Sequence, residues 1–258
     1  MPVHELSRGV PRGPTVVLVH GLEASWDSWL PVSEFLDPRW RLLALDLPWR
    51  AGNDYAWRGR SPGRLLADAL AEADEPPAAV VAHSFGANAT LELLGSSRGA
   101  AGRAAAMLCP LYRPPKVAVT WEVFDRSRRA FDRHVRHGLL VRLGERAAAL
   151  DPEIVETMAD RAVDRVGPTG FLAVFQQFVD STLLPLDRIG VPLSIVAGGN
   201  DPTLSVRAAR ELADALPTST LDIDQDYDHF CHVKWPERVA TGLTKFLDAH
   251  IGLPDGGR

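Results

Sequence analysis

Ala82-His83-Ser84-Phe85-Gly86 decides the fold. It follows the apolar run Ala78 to Ala82 (AAVVA), which begins after a Pro76-Pro77 break, and it leads straight into a helical stretch from Phe85 to Leu94. This is the small-x-Ser-x-Gly nucleophile elbow, with Ala at its first position. The chemistry explains the small neighbours. A turn this sharp forces the serine into a strained backbone, and bulk two residues away on either side would clash. The hydroxyl then stands clear of the sheet at a helix N-terminus, where free N–H groups favour developing negative charge. A plain turn serine is the alternative, and the buried strand in front of Ser84 argues against it.

Working outward, other apolar runs alternate with helical stretches, as in an α/β fold with a parallel sheet. Thr15 to His20, Trp40 to Leu47, Ala104 to Cys109, Leu193 to Ala197 and the weaker Thr220 to Ile223 read as strands, with Val3 to Leu6 as a short edge strand. Pro62 to Ala73, Leu204 to Leu216 and Pro236 to His250 read as helices, the first capped by Ser61 ahead of a proline. His20-Gly21-Leu22 ends the first central strand. Its backbone can turn the Leu22 N–H toward the space above Ser84, to act with the Phe85 N–H as an oxyanion hole. The His20 side chain reads as structural, bonded to nearby loop backbone.

Two later strand ends carry an acid and a base. Gly198-Gly199-Asn200-Asp201-Pro202 places Asp201 in a turn; an ordinary Asx-turn is the alternative, and the position at a strand's C-terminal end favours an orienting acid. Asp228-His229-Phe230-Cys231-His232 offers two imidazoles. His229 lies nearer the strand end, and His232 reads as a capping or packing residue. Asp224, Asp226 and Asp228 share the loop of His229 and are poorly placed to reach its far ring nitrogen. The order Ser84, Asp201, His229 fits one of the three known serine-hydrolase layouts.

These pieces resemble the α/β-hydrolase superfamily, in its branch with a helical cap. The resemblance runs from His20-Gly21 through Asp46-Leu47-Pro48, the Ser84 elbow and Gly198-Gly199-Asn200-Asp201 to Asp228-His229-Phe230 and Pro236-Glu237-Arg238-Val239. A small residue, His and Phe ahead of a helix opening Pro-Glu-Arg is common in that family and supports His229 over His232. Three departures stand out: Ala82 for the usual glycine, Trp49-Arg50-Ala51-Gly52 for the usual Gly-His-Gly, and Asp228 where glycine often precedes the histidine. The resemblance implies a mostly parallel sheet flanked by helices, with residues 1–113 and 186–258 as the core and 114–185 as an inserted cap. It implies a serine hydrolase of small, largely apolar esters, thioesters or lactones, acting through Ser84, Asp201 and His229. Two other readings remain: a carbon–carbon bond hydrolase or lyase on the same triad, and a non-catalytic ligand-binding protein that keeps the fold.

The cap stretch concentrates aromatics, of which Trp121, Phe124 and Phe175 are the candidates for lining a substrate pocket. Simple packing of the helical layer is the plainer reading of such a stripe. His134 and His137 have i, i+3 spacing but no third ligand nearby, and arginines flank them. They read as a solvated helix face, so neither a metal nor an organic cofactor is expected. Cys109, on a buried strand, reads as structural. Cys231 reads as packed, with a thiol lining the site as the alternative.

The 258 residues are 46% hydrophobic and 24% charged, enough for one sizeable core. A net charge of −5 argues against nucleic-acid or anionic-membrane partners. Two cysteines cannot build a disulfide framework, and no secretory signal opens the chain, so the expected compartment is the cytoplasm. No apolar run is long enough to span a bilayer. Arginine far outnumbers lysine, as in proteins from GC-rich bacterial genomes. Nothing in the sequence sets an oligomeric state.

Overall fold

Seven apolar or alternating runs pair into one sheet: β1 (Val3–Arg8), β2 (Thr15–Val19), β3 (Arg41–Leu45), β4 (Ala79–His83), β5 (Ala104–Leu108), β6 (Leu193–Gly198) and β7 (Ser219–Asp224). The computed structural model describes residues 1–96 and 101–252; residues 253–258, assigned above to the core, lie outside that range. The strand order is β1-β3-β2-β4-β5-β6-β7, with β1 antiparallel to β3 and every other pair parallel. β2, β4, β5 and β6 are buried at every residue, because a parallel sheet covered on both faces leaves no polar side. β7 alternates through most of its length, as expected at an edge.

The helices are α1 (Leu30–Ser33), α2 (Pro62–Ala71), α3 (Ser84–Gly95), α4 (Trp121–Leu143), α5 (Pro152–Asp180), α6 (Val206–Asp214), α7 (Cys231–Lys234) and α8 (Pro236–Ile251). Side-chain oxygens cap four of them. Ser61 accepts from Arg64 N at 3.0 Å, Thr120 from Val123 N at 3.3 Å, Asp151 from Glu153 N at 2.8 Å and Ser205 from Ala208 N at 3.2 Å. The Ser205 cap explains why α6 starts later than its apolar pattern suggests. α1 and α7 are too short to show a period in sequence, and neither was anticipated.

Alternate residues of each central strand feed two cores. On one face Val17, Val80 and Ile195 pack with Leu66, Leu91 and Leu212 of α2, α3 and α6. On the other, Val16, Leu18 and Val81 pack with Trp29, Val32 and α8 residues Val239, Leu243 and Leu247. α4 and α5 form a long helical insertion between β5 and β6 that resembles a cap. α5 is kinked at Gly167, whose φ of 57° and ψ of −168° interrupt the helix just ahead of Pro168. The Gly167-Pro168 dipeptide is a breaker signal visible in the sequence.

The topology fixes where a site can form. After β2 the chain moves outward to β3, then crosses back to place β4 on the other side of β2. The strand order reverses there, and crevices in open α/β sheets open at the carboxyl ends of such strands. No helix among the described residues is long and apolar enough to cross a membrane.

Candidate active site

Ser84 occupies the turn from β4 into α3 with a φ of 50°, a left-handed conformation uncommon outside glycine. Two close backbone approaches make room for it. A Cβ on Gly86 would collide with the His20 carbonyl and lie 2.9 Å from the Val19 carbonyl oxygen. One on Gly21 would lie 2.9 Å from His83 Nδ1 and 3.2 Å from Ser84 Cβ. Both positions therefore need glycine, and together they bring the loop after β2 against the serine turn.

Ser84 Oγ donates to His229 Nε2 at 2.8 Å, and His229 Nδ1 donates to Asp201 Oδ2 at 2.9 Å. A carboxylate can only accept, so it fixes the tautomer that leaves Nε2 free to take a proton. Asp201 follows β6 and His229 follows β7, so three separate strand ends converge. Asp201 is also the Asx-turn residue its sequence suggested: Oδ1 accepts from Thr203 N at 2.7 Å and Leu204 N at 3.3 Å. Burial acts to raise the pKa of this carboxyl. The His229 imidazole and the two N–H groups outweigh burial and hold it below the ordinary value. The neighbouring aspartates turn elsewhere. Asp228 binds His137, Lys234 and the Phe230 N–H, while Asp224 and Asp226 pair with Arg238.

The Leu22 N–H has no acceptor among the described residues. Phe85 lies in the first turn of α3, where N–H groups lack an intrahelical partner. Leu22, Ser84 and Phe85 line one cavity of ≈390 Å³, and Leu22 and Ser84 also line a second of ≈260 Å³. The larger one is walled by Phe131, Phe171, Phe175 and Phe178, and the smaller carries Glu23, Asp27, Arg142 and Arg165. Phe175 thus faces the site, but the other two candidate substrate contacts do not line either cavity. Trp121 is 83% exposed at the start of α4. Phe124 stands behind the cavity wall, edge-on to Phe171 at 5.1 Å and to Phe175 at 5.0 Å.

The pair His134 and His137 departs most from its sequence reading. His134 does not lie on a solvated face, whereas His137 keeps 41% of its side chain exposed. His137 is hydrogen-bonded to Asp228 at 3.1 Å. His134 stacks on Phe230 at 5.1 Å, meets the His229 ring edge-on at 4.8 Å, and lines both cavities. Desolvation pushes its pKa down to about 3, so it stays neutral. Spacing along α4 puts the two histidines on one side of the helix, but only the docking of α4 over β7's loop decides that His134 turns inward. His83, given no role from sequence, donates from Nε2 to the His229 carbonyl at 2.7 Å and so ties the His229 loop to the end of β4. His232 packs between His83 at 4.3 Å and Trp29 at 4.9 Å, the packing role expected of it.

His20 is buried and structural. Nδ1 donates to the Gly21 carbonyl at 2.8 Å, Nε2 accepts from Leu47 N at 3.0 Å, and burial lowers its pKa to about 4. Trp49, the departure after Asp46-Leu47-Pro48, is buried and donates to the His20 carbonyl at 3.0 Å. A large indole thus anchors this loop.

The one cluster with metal-ligand chemistry among the described residues is Cys109, Asp201 and His229, whose ligand atoms lie within 4.8 Å of one another. The site reads instead as an acid–imidazole pair with a thiol beside it. Contact with the Cys231 thiol and burial push the Cys109 pKa well above its ordinary value. Both cysteines are fully buried.

A model of the alpha/beta hydrolase family matches residues 16–241. No curated protein matches the chain. Among solved structures it is similar to a bromoperoxidase from Bacillus anthracis, at 17% identity and TM-score 0.72, covering 95% of each chain. An enol-lactonase from Burkholderia xenovorans LB400 is 19% identical with TM-score 0.63, covering 95% of this chain and 96% of the other. A lipase-esterase related protein from Clostridium acetobutylicum ATCC 824 is 16% identical with TM-score 0.65, covering 95% and 99%. At these identities the three likenesses speak for the fold.

Proposed function

The chain belongs to the alpha/beta hydrolase family, and from that premise we propose that it is a serine hydrolase of a small, largely apolar carboxylic ester, thioester or lactone. The observation that carries this reading is the unbroken relay from Ser84 Oγ through His229 to Asp201, with a strained serine at its head. Ser84 attacks the acyl carbon as His229 Nε2 takes its proton. Asp201 stabilises the imidazolium that forms. The N–H groups of Leu22 and Phe85 hold the oxyanion. The tetrahedral adduct collapses, and His229 passes its proton to the leaving group. Water, activated by the same imidazole, then releases the acid from Ser84.

The aromatic cavity beside Ser84 supports an apolar acyl portion, and the names of the lipase-esterase related and enol-lactonase structures agree with ester or lactone chemistry. Residues 114–185 act as the cap that closes this cavity. The scheme uses side chains and backbone alone. Its test is a panel of p-nitrophenyl esters, an acyl thioester and a lactone, offered to the native protein and to Ser84→Ala. Turnover that vanishes in Ser84→Ala is expected. Turnover that survives the substitution, or none on any member of the panel, contradicts the proposal.

A further inference from the structure

Glu23 follows Leu22 directly, and its backbone φ is 54°. A non-glycine residue holds that conformation only where its surroundings impose it. Here every polar group of the residue is engaged. Its N–H donates to the Trp49 carbonyl at 3.0 Å. Oε1 accepts from Tyr55 Oη at 2.8 Å and Asn53 Nδ2 at 3.0 Å. Oε2 accepts from Arg165 Nη2 at 2.8 Å, and the Glu23 carbonyl accepts from Arg142 Nη1 at 3.1 Å. The Glu23 side chain is only 11% exposed.

The geography of these partners matters. Arg142 lies in the last turn of α4, and Arg165 lies on α5 just before its kink, so both inserted helices grip the residue that follows Leu22. Beyond the kink, Gln177 of α5 donates to the Phe85 carbonyl at 3.4 Å. Both proposed oxyanion elements are therefore touched from the insertion. The turn that contains Leu22 is itself narrow, closed by Ala24 N–H on the Gly21 carbonyl at 3.3 Å. A shift of Glu23 would re-aim the Leu22 N–H.

We infer that Glu23 is a positioning residue for the Leu22 N–H, and that Arg165, with Arg142, holds it from the inserted helices, so that the oxyanion hole is complete only when those helices are seated. This rests on the serine-hydrolase reading of the site. Its signature is selective. The ground-state substrate is gripped mainly by the aromatic cavity, whereas the oxyanion forms only in the transition state. Loosening the clamp therefore lowers kcat and leaves KM nearly unchanged.

The test uses the full chain as Arg165→Met, Arg165→Lys and Glu23→Gln, with thermal melts confirming folding. Each is assayed for kcat and KM on a p-nitrophenyl ester, and for inhibition by phenylboronic acid, whose tetrahedral serine adduct occupies the oxyanion hole. Arg165→Met and Glu23→Gln are expected to lower kcat about tenfold, less than outright loss of an oxyanion donor. KM should stay within about twofold, boronate affinity should fall in step with kcat, and Arg165→Lys should recover most of the loss. Unchanged kcat and boronate affinity, or a raised KM with kcat intact, overturns the inference while Ser84-dependent turnover by the native protein keeps the parent reading standing. If the native protein shows no Ser84-dependent turnover, the parent reading fails and this inference falls with it.

Discussion

At the scale of the residue, what matters is which groups can be read from a strand end and which cannot. Ser84, Asp201 and His229 each follow a strand that is legible as a short apolar or alternating run, and each lies among turn residues. A one-dimensional reading can therefore bring them to one edge of the sheet, and the structure places them within hydrogen-bond reach. His134 and Glu23 carry no such mark. One sits in a helical insertion whose docking face the sequence does not specify, and the other in a loop whose partners are distant in the chain. The tautomer argument gives a prediction at this scale. Asp201→Asn keeps the shape but no longer dictates which His229 nitrogen carries the proton, so kcat on an activated ester should fall by about 10³–10⁴ with KM little changed. A loss below about tenfold in steady-state kinetics would show that Asp201 does not set the tautomer.

At the scale of the element, the central strands were legible because parallel strands buried on both faces are nearly all apolar. The cap at Ser61 was legible because a proline follows it, and the Asp151-Pro152 pair carries the same signal. The kink in α5 shows the opposite limit: one apolar pattern reads as one helix until Gly167 and Pro168 are weighed as a breaker. The junction of β4 and α3 makes the sharpest prediction. Gly86→Ala would drive a methyl into the His20 carbonyl, a backbone group that cannot rotate away. It should cost about 1–3 kcal/mol of stability by overpacking and displace Ser84. Urea unfolding and ester turnover check both effects, and a variant with native midpoint and native kcat would refute the close approach. At α5, Asp151→Ala removes the bond to Glu153 N and should cost about 1 kcal/mol in the same measurement without touching the chemistry.

At the scale of the whole molecule, burial of neutral imidazoles ties stability to pH. Burial lowers the pKa of His20 to about 4 and that of His232 to about 3, and burial with the neighbouring His232 and His229 drives His83 well below its ordinary value. Above the ordinary value of 6.5 neither folded nor unfolded chain holds these protons. Below it the unfolded chain takes them up and the native structure refuses them, so acid favours unfolding. Each refused proton removes about 1.4 kcal/mol per pH unit at most. The depressed carboxylates Asp37, Asp201 and Asp228 act only below 3.8, outside this window. The urea midpoint should therefore drop clearly from pH 7 to pH 5, and equal midpoints would contradict the buried-imidazole account.

The same whole-molecule view makes the site a product of topology. The reversal between β2 and β4 supplies the crevice, the ends of β6 and β7 bring the Asp201 carboxylate and the His229 imidazole to it, and residues of the helices between β5 and β6 line the cavities beside Ser84. The central claim is that this arrangement activates Ser84 as a nucleophile. A fluorophosphonate probe tests that most directly, with the adduct mapped by mass spectrometry in the native protein, Ser84→Ala and His229→Ala. The account predicts a single adduct on Ser84 that is lost in Ser84→Ala and strongly slowed in His229→Ala. Labelling at another residue, or labelling of Ser84 at the same rate without His229, would contradict it.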